Sequence, residues 1–240
     1  MIFKTSSNDT LIFWLKFELK LFMRTRRTQN ILLGLILANL MWLYVIFSKG
    51  MELSFLQITY PLFLISISSF AYGQYFYSWH LPFLSIFFTN SISFKRYFIA
   101  RILILQILMV FPSILPLILF RNSNENFFII LSSLVYLLGA LPFQFVFWGI
   151  NRTKKIDLFS KGFLANIEGK GRTHLLMEIP LFGVPLILLL ILFLIKQEYI
   201  LPYFMIAIGG IYLIFLFLGL NSHIGKFKEG KYTLLSKMRN

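Results

Sequence analysis

Three histidines and one carboxylate are the residues best equipped for chemistry. His80, His174 and His223 could serve as proton carriers or metal ligands, because imidazole titrates near neutrality. Glu178 stands inside an apolar run. No two of the histidines lie three or four residues apart, the spacing that would bring two ligands to one face of a helix. The chain has no cysteine, which removes thiol catalysis, disulfides and thiolate metal sites. No metal site is therefore expected. The stretch "GKGRTH" (169–174) holds the residue types of a phosphate-binding loop. It lacks the G-x-x-x-x-G-K-[ST] spacing, and no buried strand precedes it. It reads as a flexible basic loop, so ATP is not expected to bind to this chain in the usual way.

Glu178 raises a sharper question. A carboxylate within a membrane span is costly and marks a functional position by default. It lies about one helical turn from the expected cytoplasmic end, so snorkelling or pairing with Arg172 or His174 competes with a functional role. "YGQYFYSWH" (72–80) packs four tyrosine or phenylalanine rings, a tryptophan, a glutamine and a histidine into nine residues. It reads either as a ligand site or as the rim where a membrane helix meets water. The latter is favoured, with Tyr75, Tyr77 and Trp79 as an aromatic interface belt.

The elements that must position these residues follow from composition. Of the 240 residues, 58% are hydrophobic and 13% charged, with a mean hydropathy of +0.78. Soluble domains carry about 25% charged residues, and a soluble fold of this size could not hide so much apolar surface. The expected fold class is an all-α polytopic membrane protein, a single transmembrane domain over 1–240. A helix needs about 20 apolar residues to cross the hydrocarbon core. Six segments qualify or nearly so: 31–48, 56–79, 97–120, 127–150, 175–195 and 199–220. The first follows a long basic segment without a cleavage pattern, so it reads as a retained span.

The net charge is +14. In a soluble chain that would suggest nucleic acid; here it is topological, and no nucleic-acid partner is expected. Three short connections carry one basic and one acidic residue each: Lys49 with Glu52, Arg121 with Glu125, Lys196 with Glu198. The other side of the alternation holds 20 of the 23 Lys and Arg residues, Lys95, Arg96 and Arg101 among them. The positive-inside rule then places both termini and the basic tail (221–240) in the cytoplasm.

Two further elements complete the layout. Residues 10–30 are too charged to span. Lys16, Lys20, Arg24 and Arg27 recur at helical spacing on one face, with Phe13, Trp14, Phe17 and Leu21 largely on the other. Such a helix lies in the interface plane, its cations toward anionic headgroups. Residues 81–96 are too short to cross and return, and read as a short cytoplasmic helix with an apolar face formed by Phe83, Ile86 and Phe87. Within the second span, Ser66, Ser69, Gly73 and Tyr77 fall on one face. Small and hydroxylated residues there indicate close helix packing, with a conduit or a dimer interface as the alternative. Gln74 beside them is deeper than a belt requires.

This layout resembles the permease half of a type-two ABC exporter. More narrowly, "FELKLFMRTRR" (17–27), "YGQYFYSWH", "FFTNSISFKRYFIAR" (87–101), "NRTKKIDLFSKGFLANIEGKG" (151–171) and "FKEGKY" (227–232) resemble the C-terminal half of the longer members of a Bacteroidetes family of membrane proteins with ABC permease character. The resemblance covers most of the chain. It implies that residues 10–30 are an elbow helix. It also implies that 81–96 is a coupling helix docking on an ATPase through Phe83, Ile86, Phe87, Thr89, Asn90 and Ser91. ATP and Mg would belong to that partner, with no cofactor and no catalysis in this chain. A second permease half, the same chain or a relative, would complete the pathway in a bacterial cytoplasmic (inner) membrane. The apolar, aromatic-rich spans suggest a hydrophobic or amphipathic substrate. An intramembrane enzyme using His80, His174 and Glu178, or a non-catalytic assembly factor, are the alternatives.

Overall fold

The computed structural model describes residues 10–24, 54–73, 76–77, 93–149, 183–194 and 197–230, with isolated positions between 33 and 44. Among them the chain is helical, with no strand. The helices are α1 (Leu11–Arg24), α2 (Ser54–Gly73), α3 (Phe94–Leu119), α4 (Asn124–Gly149), α5 (Val184–Leu194) and α6 (Leu201–Glu229), with a 3-10 turn at Glu198–Ile200 before α6. The isolated positions Leu33, Ile36, Leu37, Leu40, Met41 and Tyr44 are helical and exposed. Among the described residues, α3, α4 and α6 are long and apolar enough to cross a membrane. At 26 to 29 residues they reach about 40 Å at 1.5 Å per residue, beyond the ~30 Å hydrocarbon core.

Helix directions follow from which ends meet. Phe128 near the start of α4 packs on Tyr203 near the start of α6, and Phe147 near the end of α4 packs on His223 in the last turns of α6. Gly73 at the end of α2 faces Phe145 of α4. So α2, α4 and α6 run in one sense. Ser69 of α2 reaches Leu105 in the first half of α3, so α3 runs in the opposite sense. The connections spanning 74–93 and 150–182 therefore attach at the same end of the bundle. The second connection carries Arg152, Lys154, Lys155, Lys161, Lys170 and Arg172, and Lys95 and Arg96 follow directly after the first; this is the basic end.

Helix α4 is the central member. Most of its apolar length is buried, whereas α6 keeps a broad apolar face open, including Ile211, Ile214, Phe215 and Leu218. The two cross at glycine. A Cβ on Gly209 would fall 2.6 Å from the Val135 carbonyl oxygen and 2.7 Å from the Tyr136 Cα, and one on Gly139 would meet the Gly209 carbonyl. The backbones touch there because neither residue carries a side chain, the usual way of gaining dispersion contact where lipid removes the hydrophobic drive.

One helix proline is compensated from a neighbouring helix. Pro142 of α4 has no N–H to give the Leu138 carbonyl, its partner four residues back. Gln106 of α3 fills that role, its Nε2 donating to the Leu138 oxygen at 3.3 Å. In α3, which contains Pro112 and Pro116, the Ser113 hydroxyl donates to the Val110 carbonyl at 2.6 Å. Helix α4 continues through Pro142 with its freed carbonyl taken up by a donor from α3.

Element ends differ from the sequence expectation in three places. The second helix ends at Gly73 rather than running to residue 79; the Phe76 amide closes a turn on the Gly73 carbonyl at 2.8 Å. Phe94, Lys95 and Arg96, expected in the short cytoplasmic helix, are the first turn of α3. Helix α6 continues nine residues past 220, into the stretch expected as tail. Its reason is packing: His223, Ile224 and Phe227 are buried, and Phe227 meets the rings of Phe94 and Phe98.

Candidate functional site

A buried charge pair lies at the basic end. Thr10 begins α1 as its cap, its hydroxyl oxygen accepting from the Phe13 amide at 3.2 Å. Trp14 and Glu18 then stand one turn apart on the inward face of α1. Tyr97 and Arg101 stand one turn apart on α3. The two pairs meet in register, Trp14 edge-on to Tyr97 at 5.4 Å between ring centroids and the Arg101 Nε 3.4 Å from the Glu18 Oε1. Arg101 is 0% exposed and Glu18 2%. Dehydrating either ion alone would cost several kcal/mol.

Neighbouring groups offset that cost. The second carboxylate oxygen of Glu18 accepts from the Tyr72 hydroxyl at 2.9 Å. The guanidinium donates to the Tyr97 hydroxyl at 3.1 Å and to the Tyr72 hydroxyl at 3.5 Å. It also lies over the Phe76 ring, 4.4 Å from the centroid, where the π face attracts a cation. Tyr72 comes from the last turn of α2 and Phe76 from the turn after it. One ion pair therefore joins α1, the end of α2 and the start of α3.

A second polar contact ties in α4 and α6. The Tyr77 hydroxyl is 2.6 Å from the Val146 carbonyl oxygen and 2.6 Å from the His223 Nε2. A phenol has one proton to donate. The carbonyl can only accept, so both contacts are satisfied when Tyr77 donates to Val146 and His223 donates through Nε2–H to the Tyr77 oxygen. Val146 belongs to the last four residues of α4, whose carbonyls have no partner within the helix, so Tyr77 caps α4. Phe98 and Phe147 enclose the His223 ring. Phe76, Tyr77, Phe98 and Phe227 form one aromatic layer between the two polar contacts.

The sequence-derived candidates fall unevenly on this arrangement. Ser66, Ser69, Gly73 and Tyr77 are all buried within the chain. Ser69 donates to the Leu105 carbonyl at 3.0 Å, Ser66 to the Phe63 carbonyl of its own helix at 3.1 Å, and Gly73 lies against the Phe145 ring. Their contacts are helix packing inside one chain. Tyr77 is 3% exposed, an interior residue rather than a member of an interfacial belt, because the turn after Gly73 points it inward. Lys16 and Lys20 are exposed on α1, and Arg24 is its last residue. Of the histidines, His223 is buried. Arg27, Gln74, Tyr75, Trp79, His80, Phe83, Ile86, Phe87, Thr89, Asn90, Ser91, His174 and Glu178 lie outside the described residues.

Sequence reading passed over Glu18, Arg101 and Tyr72 as a unit. Two signals were available. Arg101 sits inside the 97–120 apolar run, yet its charge counts naturally with the neighbouring loop. Glu18 stands four residues after Trp14, on the side of the helix away from Lys16 and Lys20. The cluster is suited to holding helices in register. Among the described residues no group of three His, Cys, Asp or Glu side chains could hold a metal.

Residues 10–240 match a family of unknown function, DUF5687, and the chain belongs to that family. No curated protein and no solved structure matches it.

Proposed function

We propose that this DUF5687 chain is the membrane-spanning permease half of an ATP-driven ABC transporter, energised by a separate ATPase subunit. The reading takes the apolar runs as six spans with both termini in the cytoplasm, α1 as the elbow and residues 81–93 as the coupling segment. A second permease half, the same chain or a relative, completes the pathway. The substrate is hydrophobic or amphipathic, in keeping with the apolar, aromatic-rich helices.

One observation carries the proposal. The residues on either side of segment 78–92 are anchored to α1, α4 and α6 as well as to one another. Tyr72, Phe76 and Tyr77 precede it; Phe94, Tyr97, Phe98 and Arg101 follow it. Through Glu18, Val146, His223 and Phe227 these residues grip α1, α4 and α6. A push delivered to that segment would reach five helices at once instead of being absorbed by a loose loop. Transmission of ATPase closure needs such stiffness, since coupling travels through packed elements with discrete arrangements.

The test is co-purification from mild detergent. An ATPase subunit with a phosphate-binding loop is expected in the eluate. Phe87→Ala and Thr89→Ala are expected to leave ATP hydrolysis running while transport in reconstituted vesicles falls. Purified chain that acts on a substrate without any ATPase would replace this reading with a membrane enzyme.

A further inference from the structure

The outward face of α1 is built differently from its inward one. Ile12, Lys16, Leu19, Lys20 and Met23 follow one another at intervals of three, four or one, along a single exposed stripe. Ile12 is 63% and Met23 67% exposed. The cations are thus interleaved with large apolar side chains, not segregated from them.

The partner that fits this surface is read from its two chemistries together. Exposed lysines attract a phosphodiester of any origin. A nucleic acid or an acidic protein in water would leave Ile12, Leu19 and Met23 wet. The headgroup layer of an anionic bilayer accepts both, phosphates at the lysines and acyl boundary at the apolar side chains. We infer that the outward face of α1 binds anionic phospholipid headgroups, and that this binding holds α1 on Arg101. The second half follows from α1 being a 14-residue helix whose opposite face carries Trp14 and Glu18. Ligand on one face and ion pair on the other share one rigid element, and such linkage is reciprocal. The inference stands apart from the transport reading and survives its failure.

The experiment measures hydrogen–deuterium exchange of the α1 amides in the full chain. The chain is held in nanodiscs of phosphatidylcholine alone or of an equal mixture with phosphatidylglycerol. Phosphatidylglycerol is expected to slow exchange in wild-type α1, by roughly five-fold per lysine and about 25-fold for the pair. Lys16→Glu/Lys20→Glu is expected to remove that protection while circular dichroism stays unchanged; Lys16→Gln/Lys20→Gln substitutes if the double glutamate variant misfolds. Glu18→Gln is expected to weaken the protection in part, the signature of linkage. Equal exchange in the two lipids for the wild type would overturn the proposal, as would full protection in the lysine variants. Protection by inorganic phosphate in phosphatidylcholine discs would assign the face to a free oxyanion instead. Unaltered protection in Glu18→Gln would break the link to the ion pair.

Discussion

The basic end and the α4–α6 crossing hold helices together by opposite means. At the crossing, Gly139 and Gly209 remove side chains until backbones touch. At the basic end, Glu18, Arg101, Tyr72, Tyr77 and His223 place full charges and hydroxyls in the interior. The first gains dispersion contact where the two backbones touch. The second depends on partners that must all be present, since an unpaired buried charge is far more costly than a lost contact. The crossing holds by shape, the basic end by a set of mutually paired polar groups.

Arg101→Ala should have the largest effect. It leaves Glu18 without its cation, and breaking one side of a buried pair costs about 3–5 kcal/mol. Thermal unfolding in detergent would register it. Glu18→Leu/Arg101→Met should recover most of the loss, because an apolar pair of similar volume is often neutral. Failure of that rescue would mean that Tyr72 and Tyr97 depend on the charges as much as the charges depend on each other. Gly209→Val comes next. Its side chain would strike the Tyr136 backbone, and overpacking of this kind costs roughly 1–3 kcal/mol. Cross-linking between α4 and α6 is the measurement, with loss at the crossing and retention at the basic end expected. Tyr77→Phe should cost about 1–2 kcal/mol, by leaving the Val146 carbonyl and His223 without their shared hydroxyl. Gln106→Leu is the smallest, about 0.6 kcal/mol, the average for a hydrogen bond between membrane helices. If it proves as costly as Arg101→Ala, the contrast between the two regions fails.

Much of the fold was legible beforehand because it rests on local rules. Apolar length located α3, α4 and α6 to within a few residues at most ends. Charge alternation anticipated that the helices equivalent to spans two, four and six would run against that of span three. The exceptions have physical causes. Gly73 lies within an unbroken apolar aromatic run, and nothing in hydropathy distinguishes a helix end from a continuing span. Residues 221–229 read as a polar tail because their burial comes from α3, which is distant in sequence.

The candidate site was legible only in fragments. Tyr77 was visible as one ring among several in "YGQYFYSWH". Periodicity put it on the same face as Ser66, Ser69 and Gly73, and that face does pack inward. Lys16 and Lys20 were recognised as one exposed face of α1. Glu18 was hidden by its surroundings, a lone acid among the lysines of a basic helix. Arg101 was hidden by position, close enough to the end of a span to pass for a loop charge.

The sequence by itself determined the chain's class and the approximate reach of its long helices. Those properties depend on hydropathy and charge, which each residue carries with it. Only the tertiary structure decided that Glu18 meets Arg101, that Tyr77 caps α4 and that Gly139 faces Gly209. Each of those pairs is separated by tens of residues. What brings them together is the relative rotation of whole helices about their axes, set by how all their side chains pack at once and by no local signal.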